Sequence, residues 1–335
     1  MNYWEEKYKK YYLIKDIFDT VNMVKNLDIK QIVSFSKEIS KKHIFISGEG
    51  SSRIFPAKRA MYDARKNGYE IDIFTDCATQ ALEYNLSEST VFIASNSGKT
   101  KEDLRLIRKL KHENHHNIIG IVANPNTPVM QEANLSYLLT CGKEKAVAAT
   151  KSVIEQSLFY DLLFKHLNNI SLPDLRELGN LIQQTLEISI KDEILEILTH
   201  SNFLYFSGRN NGVAEELTLK SNEIARKKSI YLEGTYIFHG IEEVMDTEEA
   251  VILIDPFEDE EEMYRKILVE DIGLNVVAIS SRETIFPTII IPDALYLTNY
   301  IELTAGWNLL VEIGLNAGIN LDQTLRARKV DYEEI

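Results

Sequence analysis

Through the first forty residues the apolar positions Leu13, Ile17, Phe18, Val21 and Val24 recur three and four apart, a helical period. From residue 43 the period changes. HIFIS (43–47) is a short apolar run closed by the glycine-rich GEGSS (48–52), and a helix-like stretch follows as far as Asn67-Gly68. Such a succession predicts a strand–turn–helix unit of a parallel sheet. Further strand-like runs stand at 70–74, 91–94, 118–122 and 135–139, separated by helical patterns such as 101–112. Strands alternating with helices predict an α/β fold.

The same order then returns. FSG at 206–208 echoes the FISG of 45–48, VILI (251–254) follows VFIA (91–94) by 160 residues, and NVVAIS (275–280) follows NIIGIV (117–122) by 158. Ala225-Arg226-Lys227 stands 161 residues after Ala64-Arg65-Lys66. Near-equal offsets kept in order predict two copies of one α/β domain. Their boundary is expected near Leu172-Pro173, where proline interrupts a helical pattern. The chain is thus expected to comprise N-terminal helices (1–40), a first domain (41–171), a second (172–320) and a tail (321–335).

With 37 Lys+Arg against 51 Asp+Glu the formal net charge is −14, which repels polyphosphate backbones and anionic headgroups. Neither nucleic acid nor membrane is an expected partner. The apolar runs, such as 251–254 and 289–291, fall far short of the ~18 residues needed to span a bilayer. Two cysteines, Cys77 and Cys141, without CxxC spacing, offer no disulfide framework and no thiolate zinc site. A cytoplasmic location is expected. No metal is expected at His112-Glu113-Asn114-His115-His116, which lacks HExxH spacing, and no cofactor is expected.

The two copies differ most after their third strand. The first continues Ser95-Asn96-Ser97-Gly98-Lys99-Thr100, the second Asp255-Pro256-Phe257-Glu258-Asp259-Glu260. Hydroxyl side chains, a glycine and a helix start at the carboxyl end of a strand suit a phosphate, through backbone N–H groups, Oγ donors and the positive helix terminus. The plain alternative is an N-capped helix after an ordinary loop. GKT does not make a Walker A loop, because Ile93 stands where its first glycine belongs. A second hydroxyl loop, Gly50-Ser51-Ser52, follows the first strand, and GKEKAVAATK (142–151) precedes a helix. In a doubly wound sheet, the ends of the first and third strands can share one crevice.

These strings resemble the sugar isomerase (SIS) domain family. SNSGKT is similar to its phosphate loop SxSGxT, GEGSS to its CGTS/CGSS loop, and GKEKAVAATK to a segment of the isomerase half of glucosamine-6-phosphate synthase. Leu219-Lys220-Ser221-Asn222-Glu223-Ile224 resembles the family's LKLKEI, Phe238-His239-Gly240 its KHG, and LDQTLRARKVDYEE (321–334) the synthase tail that carries a lysine. The resemblance implies two tandem flavodoxin-like SIS domains, each a parallel sheet flanked by helices. The chain as given starts Met1-Asn2-Tyr3, with no counterpart of the synthase's glutaminase part, so ammonia from glutamine is not expected here.

By the same resemblance, Ser52, Ser95, Asn96, Ser97 and Thr100 hold the phosphate, and Gly50, Ser51, Glu144 and Ala148 lie against the substrate. Glu223 is the general base for proton transfer between C1 and C2, a task for a carboxylate in a closed site. His239 opens the sugar ring and reaches the neighbouring subunit's site, which implies a homodimer. Lys329 and Lys220 assist carbonyl or enediolate chemistry. The chain departs from the family at Ala149, Tyr236, Ile241 and Lys99. The implied activity is that of a phosphosugar isomerase/deaminase on an amino-sugar or ketose 6-phosphate. Alternatives are an Amadori (fructosamine-type) 6-phosphate deglycase, a ketose/aldose phosphate isomerase, or a non-catalytic sugar-phosphate sensor.

Overall fold

The computed structural model describes residues 1–39 and 42–326. Two compact units divide the chain: residues 22–176 form one, and residues 1–21 together with 177–325 form the other.

In the unit of residues 22–176, five parallel strands, β1 (His43–Gly48), β2 (Asp72–Thr75), β3 (Ser89–Ser95), β4 (Ile118–Val122) and β5 (Leu135–Leu138), lie in the order β2-β1-β3-β4-β5. Every residue of β3 and β4 is buried, as expected for strands covered on both faces. Helix Lys101–His112 turns Leu104, Leu106, Ile107 and Leu110 inward and its Lys and Arg side chains outward. It ends where Asn114 takes the left-handed conformation. Helix Lys151–Leu167 is buried almost all round and packs against helix Ile54–Asn67. Between these two helices lies a buried ionic network, in which Lys165 Nζ reaches Asp63 Oδ2 at 2.6 Å and Asp161 Oδ1 at 3.1 Å. Arg59 meets the other oxygen of Asp161 at 3.2 Å. In the turn of residues 112–116, His115 is buried and its Nε2 lies 3.0 Å from the carbonyls of both Leu86 and Ser89.

The other unit repeats the plan with β6 (Phe203–Gly208), β7 (Lys228–Glu233), β8 (Ala250–Ile254), β9 (Asn275–Ser280) and β10 (Thr288–Ile290), in the order β10-β9-β8-β6-β7. Read from the β7 edge this is the order of the first sheet, again all parallel, so the near-equal sequence offsets correspond to a duplicated α/β architecture. Helix Thr298–Asn316 is its buried counterpart, with Tyr300 and Trp307 wholly enclosed. The N-terminal segment belongs to this unit. The Met1 ammonium donates to the Leu186 carbonyl and to Asn308 Oδ1, Tyr8 Oη donates to Glu312 at 2.5 Å, and Asp322 accepts from the Tyr12 and Leu13 amides. The block 1–40, continuous in its helical pattern, is therefore shared between the two units.

Candidate functional site

In the unit of residues 22–176, β1 and β3 are hydrogen-bonded neighbours with Gly48 opposite Ala94, so the loops that leave them start side by side. The approach is close: a Cβ on Gly48 would lie 2.6 Å from the Ala94 carbonyl oxygen and 3.5 Å from Ser52 Cβ. Residues 50–52 form a single turn of 3₁₀-helix, in which Gly50 is exposed, Ser51 buried and Ser52 half-buried.

The loop after β3 is built around hydroxyls. Ser95 Oγ and Thr100 Oγ1 are 2.8 Å apart, and the Gly98 amide donates to Ser95 Oγ at 3.1 Å. Ser97 Oγ accepts from the Lys99 amide. Thr100 precedes helix Lys101–His112 but its side chain caps nothing. The plain alternative, an N-capped helix, is therefore absent: the first amides of this helix have no acceptor within it, and the hydroxyl that would have satisfied one is turned to Ser95. That combination suits an anion.

A third segment joins this loop. Asn96 Nδ2 donates to Glu144 Oε2 at 2.5 Å and to Ser152 Oγ at 2.7 Å. Glu144, fully buried, also accepts from the Thr150 amide at 2.7 Å and from Ser152 Oγ at 2.7 Å. Glu144 thus ties residues 142–151 to Asn96, and Ala148 of that segment is buried.

Gly98 holds φ at +68°, and a Cβ there would fall 2.2 Å from Thr127 Oγ1 and 2.5 Å from Thr127 Cβ. The Val129 amide further pins the loop through the Gly98 carbonyl. Thr127 Cβ cannot rotate away, so Gly98→Ala must displace the loop, beyond the left-handed penalty of ~1–2 kcal/mol. Anion affinity is expected to fall at least about tenfold, as read by calorimetric titration with inorganic phosphate. Unchanged affinity would show that the loop geometry does not matter to the anion.

In the other unit the corresponding position is occupied by the protein's own charges. Asp255 at the end of β8 has φ +44°, and its carboxylate meets Arg209 Nη1 at 2.6 Å. The same guanidinium donates to the Asp255 carbonyl and lies 4.2 Å from the Phe257 ring centroid. An anion is supplied internally there, consistent with the acidic sequence after β8.

Glu223 sits in this second unit, in a π-helical turn, Ser221–Ala225, that continues helix Val213–Lys220 and is closed by left-handed Arg226. Such turns widen the helix by one residue and recur at functional sites. Lys220, wholly buried, lies 2.7 Å from Glu223 Oε2 and 3.4 Å from Glu216 Oε1. Glu216 is also wholly buried, whereas the Glu223 side chain is 25% exposed. One carboxylate therefore anchors the ammonium inside while the other meets solvent. Sequence reading passed over Glu216; its signal was the helical spacing E-x₃-K-x₂-E. His239 is exposed, just after the short 3₁₀ segment Tyr236–Phe238 and next to Gly240 at φ +106°, while neighbouring Phe238 packs 4.7 Å from Tyr264. Lys329 lies outside the described residues.

A doubly wound parallel sheet with a hydroxyl-rich loop at its strand ends defines an α/β protein whose crevice lies where such sheets take their ligands. More particularly, residues 39–166 match the family model for the SIS domain. Among curated proteins, glutamine–fructose-6-phosphate aminotransferase (isomerizing) of Buchnera aphidicola is 26% identical over 208 residues, 58% of this chain and 33% of that protein. The chain spans a third to just under half of the length of such relatives. The C-terminal domain of glucosamine-fructose-6-phosphate aminotransferase from Francisella tularensis superposes with a TM-score of 0.79 at 19% identity, covering 96% of this chain and 100% of that one. Glucosamine-6-phosphate deaminase from Thermotoga maritima gives 0.75 at 19%, covering 95% and 99%. At these identities the superpositions establish a shared two-sheet fold.

Proposed function

We propose that the protein is a phosphosugar isomerase/deaminase acting on an amino-sugar or ketose 6-phosphate. The observation that carries this reading is the loop 95–100, whose hydroxyls are paired with each other and cap no helix, leaving a helix terminus ready for a phosphate. Ser52, Ser95, Asn96, Ser97 and Thr100 hold the sugar phosphate, with Glu144 fixing the orientation of Asn96. Glu223, kept in place by Lys220, takes the proton from C2 of the open-chain aldose and returns it to C1 through an enediol-type intermediate. Where C2 carries an amine, the resulting C2 imine adds water and releases ammonia, leaving the ketose phosphate. His239 moves the proton that opens the ring, and its exposure in one chain suits a homodimer in which it serves a second copy.

The test is to incubate the purified protein with glucosamine 6-phosphate, fructose 6-phosphate and fructosamine-type 6-phosphates, following ammonia, free amine and sugar-phosphate interconversion. Ammonia release or aldose–ketose interconversion is expected. Release of an amino acid from the fructosamine-type compound alone would replace this reading with a deglycase, and saturable binding without turnover of any compound would replace it with a sensor.

A further inference from the structure

Beneath the anion loop lies a buried acid that the mechanism above does not use. Asp103, in the first turn of helix Lys101–His112, is 0% exposed, and neither of its carboxylate oxygens has a hydrogen-bond partner among the described residues. The hydroxyls of Thr100 and Ser95 face it from above. From the loop after β1 it is faced by Glu49, itself half-buried and accepting from the Ala78 amide, and along its own helix by Glu102. From helix Lys151–Leu167 it is faced by Tyr160, whose wholly buried hydroxyl also has no partner among the described residues. Arg53 acts on Glu49 with the opposite sign, favouring its ionised form.

An ionised carboxylate enclosed away from water beside a second carboxylate is costly, and the hydroxyls of Thr100 and Ser95, which favour the charged form, do not outweigh that cost, so the group keeps its proton. Burial, and then the charge of Glu49, push the Asp103 carboxyl well above the ordinary range, and burial likewise raises Glu49. A neutral carboxyl is a donor, and the direction of donation decides what the loop presents.

We propose that Asp103, carried as the carboxylic acid, donates its proton to Ser95 Oγ and thereby makes the Ser95–Thr100 pair a one-way relay that presents the Thr100 O–H to the bound phosphate. The hydrogens balance. Ser95 Oγ accepts from Asp103 and from the Gly98 amide and donates to Thr100 Oγ1, which leaves the Thr100 hydrogen for the anion. Loss of the Asp103 proton reverses the relay. Ser95 then donates downward to the carboxylate and Thr100 donates to Ser95, so a lone pair faces the phosphate and a second negative charge lies below it. Anion affinity therefore falls as pH rises through the ionisation of Asp103. In this role Asp103 is a positioning residue, since it acts on the anion through Ser95 and Thr100.

This inference rests on the reading of loop 95–100 as the phosphate holder, and the test separates the two. Sulfate, which keeps its charge across the range, is titrated calorimetrically into the full chain from pH 5 to pH 9 for wild type, Asp103→Asn, Glu49→Gln and Thr100→Val. Wild-type affinity is expected to fall with pH, approaching tenfold per unit above the midpoint. Asp103→Asn, whose amide is a permanent donor, is expected to bind sulfate with a flat pH profile and more tightly than wild type at pH 9. Glu49→Gln is expected to move the wild-type midpoint downward, because it removes the negative neighbour that helps hold the proton on Asp103; an unmoved or raised midpoint counts against the relay. A flat wild-type profile, or one unchanged in Asp103→Asn, overturns the relay while leaving the phosphate loop intact, provided Thr100→Val weakens binding. Sulfate affinity indifferent to Thr100→Val overturns both.

Discussion

Replacing Glu223 by glutamine is expected to lower kcat by ~10²–10⁴-fold, the range of a positioned general base, with little change in KM. Glutamine has the size of glutamate, and its amide oxygen can still accept from Lys220, now 2.7 Å from the Glu223 carboxylate. Lys220 keeps Glu216 at 3.4 Å, so the variant strands no buried charge and the fold should hold. What is lost is the capacity to take and return a proton. Steady-state kinetics on whichever sugar phosphate is turned over, together with a thermal melt, checks this. A kcat within about threefold of wild type would remove Glu223 from the chemistry. Lys220→Met is the poorer experiment, because it leaves Glu216 enclosed without its cation and confounds folding with catalysis.

The second large effect concerns stability. Lys165→Met is expected to cost ~3–5 kcal/mol at neutral pH, the range for breaking a buried ion pair from one side. Lys165 neutralises Asp63 and Asp161, and it also donates to Tyr69 Oη at 3.0 Å. Arg59 remains for Asp161, which places the expected loss toward the lower end of that range. The cost depends on pH with a definite sign. Burial pushes the Asp63 carboxyl up, but Arg59, Lys165 and Tyr69 together outweigh it and hold the group below 3.8. Its contribution is therefore fully present above about pH 4 and disappears as pH falls through the depressed value. In the variant, Asp63 takes up a proton more readily, so the gap between the two proteins should narrow on acidification. Urea unfolding at pH 7 and near pH 3.5 reads both effects, and a gap that widens in acid would exclude Asp63 as the origin.

Much of this molecule was legible from local pattern. The five strands of the first sheet fall within a residue or two of the apolar runs, most plainly β3 and β4, because a strand covered on both faces is apolar nearly throughout, and that is a property of five to seven consecutive residues. The duplication was legible for the same reason: each repeat offers the same faces for burial, so FSG, VILI and NVVAIS recur in the places their predecessors held. Ser95, Ser97 and Thr100 stood out because hydroxyls around a glycine at a strand end are adjacent in sequence, and the acidic residues after β8 marked the second sheet as different.

Tertiary structure decided what depends on groups far apart along the chain. Nothing in the helical period of residues 1–40 assigns the first 21 to the second sheet; the bonds of Met1 to Leu186 and Asn308, and of Tyr8 to Glu312, do so across some 185 to 307 residues. Asn96 meets Glu144 over 48 residues, and only their contact shows that the third segment steadies the phosphate loop. The stretch SNEIA reads as ordinary helix, yet it widens into a π turn that carries Glu223 beside a buried lysine. Asp103 reads as an acidic first-turn residue of the kind that favours a helix N-terminus from solvent. Packing of helix Lys101–His112 against the sheet encloses it instead, and a carboxyl's chemistry follows from whether water reaches it. Periodicity specifies which face is apolar; the fold alone determines which polar side chains that face carries inward with it.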